Sequence, residues 1–163
     1  MTIESITQDY VKQLFEYRDG VLYWKVSVGR AKVGKKAGNL SGNGYFALGL
    51  NKKYYLIHRI VFLMHHGNLP KFIDHVDGNP LNNKIENLRS ATFSQNQQNK
   101  KLSEKNTSGV KGVSWHKSTN KWEVQFSVNK KHKYFGLYDD LELAELVAQE
   151  ARNKYHGSFA NHG

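Results

Sequence analysis

Phe72-Ile73-Asp74-His75-Val76-Asp77-Gly78-Asn79-Pro80 is the stretch on which the reading of this chain turns. It is followed at fixed distance by Asn82-Asn83-Lys84-Ile85-Glu86-Asn87-Leu88-Arg89 and then by Asn96. An acid and a histidine stand at a strand end, a polar turn follows, then a second short strand and a helix carrying an amide. Asp77-Gly78-Asn79-Pro80 is a turn signal, with Asp77 read as its cap. Asn87 sits where its amide ties that turn to the second strand. Thr92 or Ser94 caps the helix that bears Asn96.

Working outward, His58 to His66 reads as a helix with Ile60, Val61, Leu63 and Met64 turned inward and Gly67 ending it. Tyr45 to Leu50 and Lys53 to Ile57 alternate around Asn51-Lys52, a hairpin. A helix is expected from Thr7 to Tyr17, then a turn at Asp19-Gly20 and a strand over Val21 to Trp24, with Trp24 in the core. Gly29 to Gly44 holds Lys32, Lys35 and Lys36 among five glycines and reads as a mobile basic loop. On the C-terminal side, Val110 to Trp115, Lys121 to Val128 and His132 to Tyr138 read as three short strands, with turns at Ser118-Thr119-Asn120 and Asn129-Lys130-Lys131. Asp139-Asp140 opens a last helix, whose small apolar stripe runs from Leu141 to Tyr155 before Gly157.

The chain has 163 residues, a formal charge of +10 and no cysteine. Disulfides and thiolate zinc sites are thereby excluded. Such a charge points to a polyanion, because lysines and arginines that neutralise phosphates release condensed counterions. No apolar run approaches the roughly 18 residues of a membrane span, and Met1-Thr2-Ile3-Glu4 does not open a signal peptide. The expectation is a cytoplasmic protein with no membrane association. In the C-terminal segment the stretch from Asn106 to Tyr138 has six lysines against the single acid Glu123. Its sheet is therefore expected to present the positive face, with Trp115, Trp122 and Tyr134 interleaved.

Hydrolysis of a phosphodiester needs a neutralised phosphate, a stabilised leaving oxygen and an activated water. Asp74 offers a hard anionic oxygen and Asn96 a neutral one, a donor set that suits magnesium, which keeps several waters of its own. His75 is a suitable base near neutrality, although consecutive strand residues point to opposite faces and only a bend would bring both to one substrate. Each residue alone reads better as a turn polar or a solvent-facing amide. The whole spacing is what argues for chemistry. Arg59 is balanced between a phosphate clamp and a structural role. Lys84 and Arg89 are phosphate contacts or solvated charges. His65-His66 diverge by about 100° on a helix and do not form a metal pair.

Asp74-His75, Asn87 and Asn96 resemble the HNH nuclease motif in the variant whose final histidine is asparagine. The match runs from His58-Arg59-Ile60-Val61 to Asn99 and resembles HNH homing endonucleases of phages and introns. The resemblance implies a ββα-metal fold gripping one divalent ion, with Mg2+ favoured and Mn2+ possible. His75 would be the general base, Asp74 and Asn96 the metal ligands, and Asn87 the catalytic-site residue that braces the hairpin and orients His75. Ser108-Gly109-Val110-Lys111-Gly112-Val113-Ser114-Trp115, Lys121-Trp122, Phe135-Gly136-Leu137-Tyr138 and the alanine-bearing helix resemble the Apetala or ethylene-response-factor DNA-binding domain.

The expected class is α+β. Residues 1–57 form a strand-rich region with the basic loop, 58–101 the ββα-metal nuclease core, 102–108 a linker, and 109–160 a three-stranded antiparallel sheet with one helix. The expected partner is double-stranded DNA, with no small-molecule cofactor and a monomer or weak dimer. One active site per chain implies nicking of one strand. Lys111, Trp115, Lys117, Lys121 and Trp122 are the candidate DNA contacts of the C-terminal module. The positions matching the plant-type arginines are Lys111, Ser114, His116, Ser127 and His132. With no arginine fork among them, this sheet is expected to position the protein on DNA and discriminate bases weakly. A phage-encoded protein would act in the bacterial host cytoplasm. The readings set against a selective nuclease are a DNA-binding regulator without catalysis and a nuclease of low specificity.

Overall fold

A tight turn at Asp19-Gly20, with φ of 46° and 86°, closes the first hairpin of the computed structural model, which describes residues 6–128 and 130–162. The signal-peptide reading of Met1 to Glu4 and the turn residue Asn129 lie outside the described residues. Helix α1 spans Gln8–Leu14, with Thr7 as cap accepting from the Tyr10 amide. It ends three residues short of the expected Tyr17. Phe15 to Arg18 are instead strand β1, paired antiparallel with β2 (Val21–Trp24). The helical period of Tyr10, Val11, Leu14 and Phe15 gives way because Phe15 is buried opposite Trp24, their rings 4.6 Å apart.

The expected mobile loop over Gly29 to Gly44 is pinned. Ala37 is buried and donates to the Leu22 carbonyl, and the Trp24 amide donates to the Lys35 carbonyl. Gly38 has φ of 85°, and a Cβ there would lie 2.9 Å from both the Ala47 oxygen and the Ile57 side chain. Only glycine lets the backbone pass so close. The segment then enters β3 (Asn39–Leu40), which adds to β4 (Phe46–Leu50) and β5 (Lys53–Leu56) in a three-stranded sheet. Asn51 and Lys52, with φ of 51° and 61°, make the hairpin turn between β4 and β5.

Helix α2 (Ile57–His66) ends at Gly67, whose φ is 73°. It buries Ile60, Val61, Leu63 and Met64 as expected from their spacing, together with Phe62. One hydrophobic core joins α1, β2, β4 and α2 to Ile73 of β6 (Phe72–His75) and Leu88 of β7 (Leu88–Ala91). Strands β6 and β7 form a two-stranded sheet, Asp74 facing Arg89 and His75 facing Leu88.

The chain divides into two compact units, 1–91 and 92–163. The division falls before helix α3 (Phe93–Gln98) and not at 102–108. Helix α3 buries no residue of its own. Its end is held inside the second unit, where Lys111 Nζ donates to the Gln98 carbonyl and the Asn161 amide to the Asn99 carbonyl. That unit also holds β8 (Val113–His116), β9 (Lys121–Val128) and β10 (Lys131–Tyr138), an antiparallel sheet in the order β10-β9-β8. Helix α4 (Leu141–His156), capped by Asp140, packs Ala144 and Ala148 against Val113 and Val124. Alanine at these positions lets helix and sheet approach closely. Among the described residues no helix is long and apolar enough to cross a membrane.

Candidate active site

His75 ends β6 buried, at 7% exposure. Its Nε2 lies 3.1 Å from Asn83 Oδ1, and Asn83 is itself buried at 3%. An imidazole whose Nε2–H donates to an amide oxygen carries its lone pair on Nδ1. Asn83 therefore fixes both the ring plane and the tautomer. On the other side the His58 ring meets His75 edge to face at 5.0 Å, and Tyr45 lies against both, 5.5 Å from His58 and 6.2 Å from His75. Burial drives the pKa of His58 down to about 3, helped by the neighbouring His75 and Arg59. His58 is thus an uncharged wall at neutral pH.

Asp74 stands one residue earlier, and strand alternation sends it to the opposite face. It too is buried, at 4% exposure. The Nε and Nη2 of Arg89, its cross-strand neighbour, each lie 2.8 Å from Asp74 Oδ2. Sequence places Arg89 between a phosphate contact and a solvated charge. In the fold it is a charge-assisted partner of Asp74.

Asn87 ties the intervening turn together. Its Oδ1 accepts from the Asp77 amide at 3.0 Å, and its Nδ2 donates to Asp77 Oδ1 at 2.9 Å and to the Asn82 carbonyl at 2.8 Å. Burial pushes the Asp77 carboxyl up, but hydrogen bonds from Asn82, Asn79 and Asn87 outweigh it and leave the pKa below its usual value. The amide against the His75 ring is therefore that of Asn83, while Asn87 acts on the turn. The Asn83–Lys84 segment is held by the β1–β2 hairpin. A Cβ on Gly20 would lie 2.9 Å from the Lys84 nitrogen, Tyr17 Oη accepts from the Ile85 amide at 3.0 Å, and Lys84 pairs with Asp19 at 2.9 Å. Neither Asn83 nor His58 stands out as a functional candidate from sequence. The doubled Asn82-Asn83 beside a base is the available signal for the first. The place of His58 on the first turn of α2, facing β6, has no sequence signature.

Arg59 donates to the carbonyls of Pro70 and Lys71 at 3.3 and 3.4 Å, fastening α2 to the approach to β6. Asn96 lies on α3 in the second unit, behind a capping box in which the Thr92 hydroxyl accepts from the Gln95 amide and Gln95 Oε1 from the Thr92 amide. Among the described residues no three His, Cys, Asp or Glu side chains cluster as a metal site. Asp74, in the first unit, is a hard oxygen donor of the kind taken by an ion that needs few protein oxygens and keeps its waters.

The second unit changes the reading of its sheet. Val113 and Val124 are register partners buried against α4, so Trp115 and Trp122, which pair two residues along, point to the helix side as well. Their rings meet at 4.9 Å. These tryptophans are not on the outer face that sequence assigns to DNA. That face carries Ser114, His116, Glu123, Gln125, Ser127, His132 and Tyr134, with Lys121 paired to Asp139 at 3.0 Å. Lys131 and Lys133 share the helix-side parity and Lys117 sits in a turn, so the face is not the lysine face expected. Lys111 is also committed, to the Gln98 and Lys100 carbonyls, and burial with Arg152 nearby lowers its pKa to about 8.

Similarity to known proteins reaches both parts of the chain. The HNH endonuclease family model matches residues 55–98, and the AP2 domain model matches residues 108–158. The chain is 41% identical over 96 residues to Protein 3.8 of Escherichia phage T7, covering 58% of this chain and 78% of that protein. No solved structure matches the chain with significance.

Proposed function

The chain belongs to the HNH endonuclease family and carries an AP2 domain, and from that premise we propose that it is a metal-dependent DNA endonuclease of the homing type. DNA is the partner both domains indicate. The observation that carries the enzymatic reading is the buried His75, aligned by Asn83 and walled by the uncharged His58. In this reading His75 Nδ1 accepts the proton of the attacking water, and Asn83 holds the ring while it does so. Asp74, steadied by Arg89, is the proposed oxygen ligand for a magnesium ion, with manganese a substitute, and the spacing of the motif in the sequence assigns Asn96 as the second. When bound, such an ion neutralises the phosphate and the leaving 3'-oxygen. Asn87 keeps the turn after His75 closed. One site per chain implies that a monomer nicks and that paired cuts need two chains.

The experiment is cleavage of supercoiled plasmid by the wild type with magnesium, with manganese, with EDTA, and by His75→Ala. Nicking by the wild type alone, and only with metal, is the expected result. Equal cutting by His75→Ala would overturn the assignment of the base. Linear and nicked plasmid in equal yield at the earliest times, from monomeric protein, would overturn the one-strand reading. The Arg89–Asp74 ion pair favours one other reading, a DNA-binding protein whose acid is neutralised and idle. It predicts a plasmid shifted in a gel and never cut.

A further inference from the structure

From Gly20 to Ile73 the sequence contains nine lysines and arginines and no aspartate or glutamate. Almost the entire formal charge of +10 therefore resides in one third of the chain. Solvated lysine faces ordinarily intersperse both signs. This stretch does not, and the fold gathers four of its nine cations around one groove of about 710 Å³. Arg30, Lys32, Lys35 and Lys36 line it, all four exposed, and no carboxylate does. Among the described residues none of the four is in an ion pair.

The groove's floor is the outer face of the β3-β4-β5 sheet. Leu48 and Leu50 point into the core, so Ala47 and Gly49 point out. The smallest side chains thus occupy the positions a ligand would approach. Tyr54, the register partner of Gly49, leans over it with Cε1 4.0 Å from where a Cβ would stand, and is 88% exposed. A tyrosine so exposed lacks a packing role within the unit.

We propose that this groove docks the sugar-phosphate backbone of duplex DNA, its cations on successive phosphates and its Ala–Gly floor admitting the strand. The inference rests on the reading of the protein as a DNA endonuclease, and it assigns affinity, not base discrimination, to the N-terminal unit. Charge complementarity selects the occupant. Lysine and arginine neutralising phosphates is a sequence-independent contact whose signature is salt dependence.

The test is equilibrium binding of the full-length protein to a duplex of arbitrary sequence in EDTA, across a salt series. The quadruple variant Arg30→Gln, Lys32→Gln, Lys35→Gln, Lys36→Gln should lower the slope of log K against log salt by about 3 to 4, close to 0.9 for each phosphate no longer neutralised. Gly49→Gln keeps every charge and fills the floor. It should weaken binding about tenfold or more with the fold intact by circular dichroism, as expected for a blocked contact surface. An unchanged slope in the quadruple variant, or full affinity in Gly49→Gln, overturns the proposal. A larger loss on single-stranded than on duplex DNA overturns the duplex assignment. Because binding is read without metal, the result is independent of cleavage. A wild type that never cuts defeats the nuclease reading and leaves this result standing, while a quadruple variant that still cuts at saturating protein leaves the nuclease reading intact.

Discussion

Asn83→Ala isolates the contribution of alignment to the proposed chemistry. Asn83 Oδ1 is the acceptor 3.1 Å from His75 Nε2, in a site where Asn83 is 3% and His75 7% exposed. Removing it leaves a buried imidazole N–H without that acceptor, a loss of about 1–3 kcal/mol in stability. For a unit of this size that lowers Tm by roughly 5–20 °C. The larger effect is kinetic. Without the acceptor, Asn83 no longer sets the tautomer, and the base presents Nδ1 only part of the time. A positioned general base is worth roughly 10²–10⁴ in rate, and misplacement by about an ångström costs about 10²-fold. Single-turnover nicking should therefore fall about a hundredfold in Asn83→Ala, while the affinity for DNA in EDTA stays within about twofold.

The control is Asn82→Ala, one residue away and half-buried, whose amide bonds Asp77 Oδ2 at 2.7 Å and not His75. It should retain most of the rate. An Asn83→Ala protein that is folded, binds DNA and nicks at the wild-type rate would mean that Asn83 does not align the base. Equal losses in both variants would move the cause from the His75 contact to the turn as a whole.

Other outcomes follow from single contacts. His58 is neutral in the fold down to about pH 3, whereas in the unfolded chain it takes up a proton near pH 6.5; its contribution is intact above that value and is lost as pH falls from about 6.5 toward 3. His58→Phe should flatten this part of the stability profile in urea melts, by an amount on the order of a few kcal/mol. Gly20→Ala places a Cβ 2.9 Å from the Lys84 nitrogen at φ of 86°, so it should destabilise by about 1–3 kcal/mol and lower nicking through displacement of Asn83. Arg89→Ala leaves the Asp74 carboxylate buried without the guanidinium, and thermal melts should show a loss of about 3–5 kcal/mol.

Much of the fold is legible in the sequence because its turns are chemically specific. Asp19-Gly20, Asn51-Lys52 and Gly67 all adopt positive φ, and the period of Ile60, Val61, Leu63 and Met64 reports the buried face of α2. The departures have one cause in common, which is that partners distant in sequence decide them. Strand β1 is hidden because a four-residue strand following a helix inherits its period, and only the cross-strand partner Trp24 reveals it. Gly29 to Gly44 reads as mobile because its constraints are backbone hydrogen bonds to β2, which composition does not encode. The face of Trp115 and Trp122 is misjudged because alternation gives two faces and the sequence does not say which one α4 covers. Asp74, His75 and Asn87 are visible as a spacing, but their partners Arg89, Asn83 and Asp77 are decided by register and turn geometry.

The near-neutral outer face of β8-β9-β10 implies a contact of a different kind from that of the N-terminal groove. It offers hydroxyl, amide and imidazole groups from Ser114, Gln125, Ser127 and His132, with Tyr134 60% exposed. Such groups can hydrogen-bond base edges or phosphates, yet they displace few counterions. A His132→Ala, Tyr134→Ala variant should weaken duplex binding about tenfold while leaving the slope of log K against log salt unchanged within about one, since neither side chain is a fixed cation. Binding titrations at several salt concentrations read both quantities together. A slope that falls by as much as in the groove variant would mean that the sheet also binds through charge, with His132 protonated on a phosphate, and the division between a charged N-terminal contact and a neutral C-terminal one would be wrong.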